Sequence, residues 1–441
     1  MGSQQFVKWG ASLPTVYCLL STEKNGFFTT IQLILPGTVV NTKIAFALKL
    51  LFLANRVPYP PYRGDKLKIF NLAKRLKDRH ELYLLTFAQT EEDLGYKTEL
   101  EKIFKEVHFV YLPKWKSAAM CLTGLWSRKP LQVLYFQSGE MEKQLNALLA
   151  QHKFDAVHVQ HLRMSPYLAA RKDIPRILDL PDAFSLYWER RKTIKRGLLT
   201  TIFENIEQKR VLAYEQILKE YNLSLVCSQE DLDYLEKIHK VTNLRLLPNG
   251  VDRTTFRSGG HDYAHNKTIL FTGNMDYAPN VDAVTYFAAA ILPLIREQMP
   301  EVKFIIAGQR PVPKVAALAN EYIQVTGFVK DLAAMYNSAS VVVAPLRFGA
   351  GTQNKVLEAM AMGIPVVCSH IGFGGLGISS GEGAIMQTEP AAFARSVILL
   401  LTSQQERISM STQGMNVINT KFDWDVVTNT LEQYFLEISG R

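Results

Sequence analysis

Cysteine is scarce in this chain: Cys18, Cys121, Cys227 and Cys368 are scattered through 441 residues, with no C-x-x-C pair. Only Cys368 has a histidine close by, His370, and one such pair makes no metal site. That usage argues against a disulfide framework or a zinc site and fits a reducing, cytoplasmic setting. The P-loop pattern G-x-x-x-x-G-K-[ST] is missing, so an ATPase reading loses ground. A clean membrane span is missing too. The uncharged stretch NGFFTTIQLILPGTVVNT (25–42) is interrupted by Thr, Gln, Asn, Pro and Gly, which makes it a poor span. It also lacks the basic start and small-residue cleavage site of a secretory signal. Residues 1–45 are read as an N-terminal appendage, the product of a start codon set too far upstream.

What is present is an ordinary globular composition, 47% hydrophobic and 21% charged, with a net charge of +9. The length calls for two domains, and the basic balance suits an anionic partner. No RNP, helix-turn-helix or zinc pattern accompanies the charge, so nucleic acid is not expected. The RGD at 63–65 is read as coincidence.

Short apolar runs alternate with helix-length segments along the chain. Strands are expected in ALKLLFLANR (47–56), ELYLLTF (81–87), VHFVYLP (107–113), FDAVHVQHL (154–162), RILDLPD (176–182), LSLVCS (223–228) and NLRLLPNGVD (243–252). Leu67, Phe70, Ala73 and Leu76 mark an amphipathic helix ending near His80, and a long charged helical region is expected from about 186 to 221. After the polar, Gly-containing RSGGHDYAHNK (257–267), the rhythm restarts with TILFTGN, VKFIIAG, IQVTGF, SVVVAP and IPVVCS. This alternation predicts two doubly wound parallel α/β sheets in tandem, with ligands beyond the carboxyl ends of the strands.

The most informative stretch is RFGAGTQNKVLEAMAMGIPVV (347–367). It reads as a glycine loop at a strand's carboxyl end, then a helix stopped by Gly363 and Pro365. Glycine N–H groups, the helix N-terminus and Lys355 in its first turn make a site suited to phosphate. Glu358 lies one turn on, where a carboxylate would repel phosphate but accept hydrogen bonds from ribose or sugar hydroxyls. The plainer alternative is a turn at Gly349 and Gly351 with a solvated Glu358.

That stretch, together with FTGNMDYAPNVDAVTYF (271–287), VTGFVKDLAAMYNSASVVVAP (325–345) and PNGVD (248–252), resembles the retaining glycosyltransferases of family 4. RILDLPDAFSLYWERR with MDYAPN is similar to sugar transferases of bacterial exopolysaccharide clusters, including exosortase-associated ones. The resemblance covers about residues 47–437 and implies the GT-B architecture, two Rossmann-like domains facing a cleft. It implies an acceptor domain over 46–256, a nucleotide-sugar domain over 257–421, and a helix at 422–441 crossing back to the first domain.

By the same resemblance, Arg63 and Gly64 match the first domain's glycine loop, and Glu358 the ribose-binding Glu of an E-x7-E region. Ala350 stands where the first Glu of that region should be. Gly273, Asn274, Gly327, Phe328, Gly351, Thr352, Gln353 and Lys355 complete the expected donor site. Asn274 and Pro279 replace an Arg and a Lys that many members place on the diphosphate, so Arg347 and Lys355 are expected to supply that charge, with Arg310 behind them. The family's D-x-x-H-x-H strand ending is one residue longer here, DAVHVQH (155–161). Gln160 falls at the matching place. His161 is favoured as the catalytic-position residue because it ends the strand, while His158 reads as packing. Asp182 and Ser185 are candidate acceptor contacts or, alternatively, a helix cap.

The implied chemistry is front-face transfer from a nucleotide-diphosphate sugar to a saccharide or lipid-linked acceptor, with no metal and no other cofactor. DLD (231–233) and DWD (423–425) read as helix starts rather than metal motifs. Two basic-apolar stretches, LPKWKSAAMCLTGLWSRKP (112–130) and WERRKTIKRGLL (188–199), suit either peripheral contact with the inner face of the membrane or plain solvated helices. A sugar-nucleotide epimerase of the same architecture and a non-catalytic GT-B partner subunit remain as alternatives.

Overall fold

The structure is a computed structural model describing residues 47–61, 64–124, 126–192, 197–259, 267–349 and 351–441. Ahead of these it describes the backbone of four antiparallel strands, β1 (Gln5–Trp9), β2 (Val16–Thr22), β3 (Thr29–Leu35) and β4 (Thr38–Ile44), paired in that order.

The first domain is a seven-stranded sheet of β5 (Lys49–Ala54), β6 (Glu81–Ala88), β7 (Glu106–Tyr111), β8 (Ala156–Gln160), β9 (Arg176–Asp179), β10 (Leu223–Val226) and β11 (Leu244–Leu246). Its spatial order is β11-β10-β9-β8-β5-β6-β7, and every pair is parallel. β5 is buried from Leu50 to Ala54, so it reads as an unbroken apolar run because helices cover both faces. The second domain holds β12 (Thr268–Thr272), β13 (Lys303–Ala307), β14 (Ile323–Gly327), β15 (Val341–Ala344), β16 (Val366–Cys368) and β17 (Ala384–Met386). Their order is β14-β13-β12-β15-β16-β17, again all parallel.

Strand order reverses between β5 and β8 in the first sheet and between β12 and β15 in the second. Crevices open at such switch points, beyond the carboxyl ends of the strands. The segments leaving them carry Gly64, His161, Gly273, Asn274 and the 345–353 loop, so topology alone gathers most of the expected site.

The last helix, Trp424–Ser439, packs into the core of the first domain, where Trp424, Leu431 and Phe435 meet Phe52, Leu225 and Leu247. Arg75 Nε donates to Asp425 at 2.7 Å and His80 Nε2 lies 2.7 Å from Glu432. The helical run Ala278–Gln298 is long and apolar enough to cross a membrane, alone in this among the described residues. It is a core helix instead: Val284, Phe287, Ile291 and Ile295 are buried in the second domain.

The charged helical region of about 186–221 holds Phe184–Arg191, Leu198–Tyr214 and a 3-10 turn at Glu215–Glu220, with Gly197 at the N-cap of the second helix. Two readings needed revision. The first helix stops at Leu76, because His80 leaves to accept the Leu48 N–H through Nδ1 at 3.1 Å. β17 went unread, since three residues flanked by glycine and serine carry too little periodicity.

A Cβ at Gly250 would lie 2.5 Å from the Trp424 ring, so Gly250→Ala should push the closing helix off the first domain and lower the melting temperature. Trp424→Ala should cost about 3–5 kcal/mol in urea unfolding. Wild-type stability in both variants would mean that the helix does not depend on that contact.

Candidate functional site

The second-domain half is built around a buried lysine. Lys355 lies in the first turn of the helix Asn354–Ala361, and no side chain caps that helix at Gln353. Its Nζ donates to Asn280 Oδ1 and Gln353 Oε1, both at 3.3 Å, and stands 5.2 Å from the centre of the Phe271 ring. These partners are neutral, and among the described residues no carboxylate forms an ion pair with it. Burial therefore lowers its pKa to about 8, with nearby Glu358 pulling the other way. Glu358 accepts the Tyr336 phenol proton at 2.8 Å through Oε2, while its Oε1 accepts no hydrogen bond among the described residues. Burial raises its pKa, and the Tyr336 bond and Lys355 oppose the rise.

The floor of this half is the turn after β12. A Cβ on Gly308 would fall 1.6 Å from the Gly273 carbonyl oxygen, so two chain segments cross there without side chains. Asn280 Nδ2 donates to the Asn274 carbonyl at 3.0 Å, linking that turn to Lys355. Gln309 Nε2 holds Asn274 Oδ1 at 2.8 Å.

The first-domain half lies at the ends of β8, β9 and β10. His161 adopts φ 78°, so the strand has ended there. Its ring lies 4.7 Å from the Phe184 ring, and its Nδ1 accepts the Arg163 N–H at 3.3 Å. Burial, then Arg163 and Arg56, hold its pKa well below the usual value. It is therefore neutral at pH 7, with the proton on Nε2 by this hydrogen-bond pattern. Burial and the neighbouring Asp231 raise the pKa of Asp182, and its carboxyl makes no hydrogen bond among the described residues.

The two halves touch. A Cβ at Gly351, whose φ is 72°, would fall 2.1 Å from Asp182 Oδ1, so only glycine lets the loop reach the first domain. Thr352 Oγ1 donates to the Cys227 carbonyl at 2.7 Å, and its N–H reaches Cys227 Sγ at 3.4 Å. Arg190 donates to the Gly349 carbonyl at 2.9 Å and pairs with Glu230, while Asn249 Nδ2 donates to Asn354 Oδ1 at 3.0 Å.

Comparison with known proteins adds to this geometry. Residues 266–403, which include Lys355 and Glu358, match the sequence family described as "Glycosyl transferases group 1". The chain is 23% identical over 370 residues to a 44.6 kDa protein in the cps region of Klebsiella pneumoniae, covering 79% of this chain and 90% of that protein. It is 28% identical over 199 residues to phosphatidyl-myo-inositol mannosyltransferase of Mycobacterium leprae, which is 43% of this chain and 52% of that one. A crystal structure of Anabaena HepE in complex with UDP superposes with a TM-score of 0.63 at 14% identity, covering 88% of this chain and 100% of that one. The fold is GT-B.

Of the expected site residues, contacts join Asn274 through Asn280 to Lys355 and Gln353, and Gly351 and Thr352 to Asp182 and Cys227. Gly64 faces Asn354, whose Nδ2 would lie 3.7 Å from an added Cβ. Gly327 ends β14 with φ 71°, and Phe328 beside it is exposed. Arg63 and Ala350 lie outside the described residues. Arg347 forms a two-bonded pair with Asp282, its Nε at 2.8 Å, and lies 4.6 Å from the Tyr286 ring centre, while Arg310 pairs with Asp276 at 3.2 Å. Both guanidinium groups are thus paired with acids of their own domain, whereas Lys355 forms no ion pair among the described residues.

Ser185 is corrected: it is fully buried, giving both its N–H (3.0 Å) and its hydroxyl to Glu215, which also meets His239 at 3.1 Å. That removes it from an acceptor's reach, and Ala183 rather than Asp182 is the N-cap of the helix. His158 is the core packing residue expected: it lies on Phe52, and its Nε2 is 3.2 Å from Asp179, which Lys68 also holds at 2.6 Å. Gln160 donates to the Asp65 carbonyl. DLD and DWD do start helices, with Ser228 and Asp423 as the N-caps. Sequence reasoning missed Tyr336, Asn280, Arg190 and Cys227. The Asn of YAPN was the one signal available, and nothing local marked the others.

Removing the charge of Lys355 should separate stability from binding. Lys355→Met keeps the stem and drops a charge that burial disfavours, so the melting temperature of the ligand-free protein should rise by a few degrees. Wild-type affinity for a nucleoside diphosphate should fall as pH rises through about 8, where Lys355 loses its proton. The fall is at most about tenfold per pH unit. Calorimetric titration between pH 7 and 9.5 checks this, and a flat profile counts against it.

Proposed function

We propose that the protein is a retaining glycosyltransferase that transfers a sugar from a nucleotide-diphosphate donor to a saccharide or lipid-linked acceptor in cell-surface or exopolysaccharide synthesis. The work is assigned to the cytoplasmic side, with the enzyme peripheral to the membrane. One observation carries the reading: a buried lysine without a paired carboxylate, at an uncapped helix start on a switch point. A diphosphate supplies the missing anion. The UDP held by HepE and the cps-region relative support the choice of donor and setting.

The chemistry is then electrostatic and positional. As the bond between the anomeric carbon and the phosphate oxygen breaks, charge develops on the diphosphate, where Lys355 and the helix N-terminus lie. The acceptor oxygen bonds the same face of the sugar, and its proton passes to the departing phosphate oxygen. Oε1 of Glu358 accepts from a ribose hydroxyl. His161, through Nε2–H, donates to sugar or acceptor oxygens, and Asp182 hydrogen-bonds sugar or acceptor hydroxyls, so that together they fix the angle of approach. With Lys355 placed on the leaving group, this scheme requires no metal ion.

Screening UDP-, GDP- and ADP-sugars by thermal shift and hydrolysis identifies the donor. Lys355→Ala and Glu358→Ala should each weaken its affinity by about tenfold or more. Unchanged affinity in both removes the reading. His161→Ala should lower kcat by about 10²-fold with donor affinity nearly unchanged, and full activity would move that role to Gln160. Stabilisation by nucleotide with no sugar release under any acceptor would favour a non-catalytic partner subunit, and an epimerised donor without acceptor would favour the epimerase.

A further inference from the structure

The first domain carries an edge that its own packing does not explain. Residues 112–130 include Lys114, Lys116, Arg128 and Lys129 and no acidic residue. The helix Lys114–Thr123 buries only Ser117 and leaves Trp115 and Leu122 in water, and Trp126 just beyond it is 91% exposed. A second segment lies against the first. The helix Leu198–Tyr214 opens with Leu198 and Leu199, the latter 83% exposed, and Phe203 is exposed one turn on. Glu207 of this helix accepts the Leu131 N–H at 3.0 Å, while Cys121 Sγ approaches the Leu131 carbonyl at 3.5 Å, which holds the two segments side by side.

The acids of the second segment do not offset the charge. Glu204 is buried against Arg191 at 2.6 Å, and Glu207 is buried against Arg210 at 2.9 Å. Along the two segments tryptophan and leucine reach solvent among lysine and arginine, while Glu140 and Glu142 are exposed along the adjoining groove. Monomeric proteins rarely leave such a patch uncovered. A second copy is a poor cover, because a two-fold contact would set this basic patch against itself. An anionic bilayer surface meets both demands, accepting the apolar tips among its acyl chains and the cations among its head groups.

We propose that this edge docks the protein on an anionic membrane surface. The position serves the site. The edge begins where β7 ends, on the carboxyl side of the first sheet where the cleft opens, and a groove of about 690 Å³ lies beside it. Trp115, Lys116, Met120, Lys129, Ser138 and Tyr167 are among its walls, so a lipid-linked acceptor reaches it from the bilayer without leaving the surface. This deepens the acceptor reading above, and rests on it only for the role of the groove.

Flotation of the full chain with phosphatidylcholine vesicles, with and without phosphatidylglycerol, tests the docking. Binding should be about tenfold or more stronger to the anionic vesicles and should fall with salt. The double variant Trp126→Ser, Leu199→Ser alters only exposed side chains. It should lose vesicle binding by about tenfold or more while keeping wild-type melting and nucleotide stabilisation. Failure to bind either vesicle, equal binding by the variant, or a wild-type dimer that the variant abolishes would each overturn the proposal. Vesicle binding without any nucleotide stabilisation would count against the donor reading and for this surface.

Discussion

The rest of the site is arranged around one buried charge. Among the described residues Lys355 is held by two amide oxygens and an aromatic face, with no carboxylate bonded to it, and its pKa falls to about 8. Burying a cation this way costs free energy unless something anionic arrives. Folding does not require the lysine, since an apolar side chain of similar length would fill the space more comfortably. The unfavourable placement makes sense as preorganisation for a ligand, the common exchange of stability for function.

The surroundings follow from that constraint. Neither Arg347 nor Arg310 shares the load, because Asp282 and Asp276 neutralise them on their own domain. Glu358 is kept near without bonding the lysine, because Tyr336 occupies one carboxylate oxygen. The loop ahead of the helix is closed onto the first domain by contacts from Asp182, Cys227 and Arg190.

Much of this was legible in the sequence because it is periodic or locally punctuated. Fully buried strands announce themselves as apolar runs, and the glycine loop with Lys355 and Glu358 sits within twelve residues, at the end of one such run. The remainder depends on convergence. Arg190 meets Gly349 across 159 residues, and Tyr336 meets Glu358 from another helix, so no window of sequence contains either pair. Ser185 shows the reverse error: its place beside LPDAF suggested the cleft, yet Glu215, thirty residues on, draws it into the core.

The most direct test is a proton count. If a diphosphate binds on Lys355, it must hold that lysine protonated, so binding of the donor nucleotide at pH 8.5 should take up protons from solution. Calorimetry in buffers of different ionisation enthalpy reads the number. The account predicts uptake of between about half and one proton in the wild type and none in Lys355→Met. Binding without proton uptake, or with the same uptake in the variant, would contradict it.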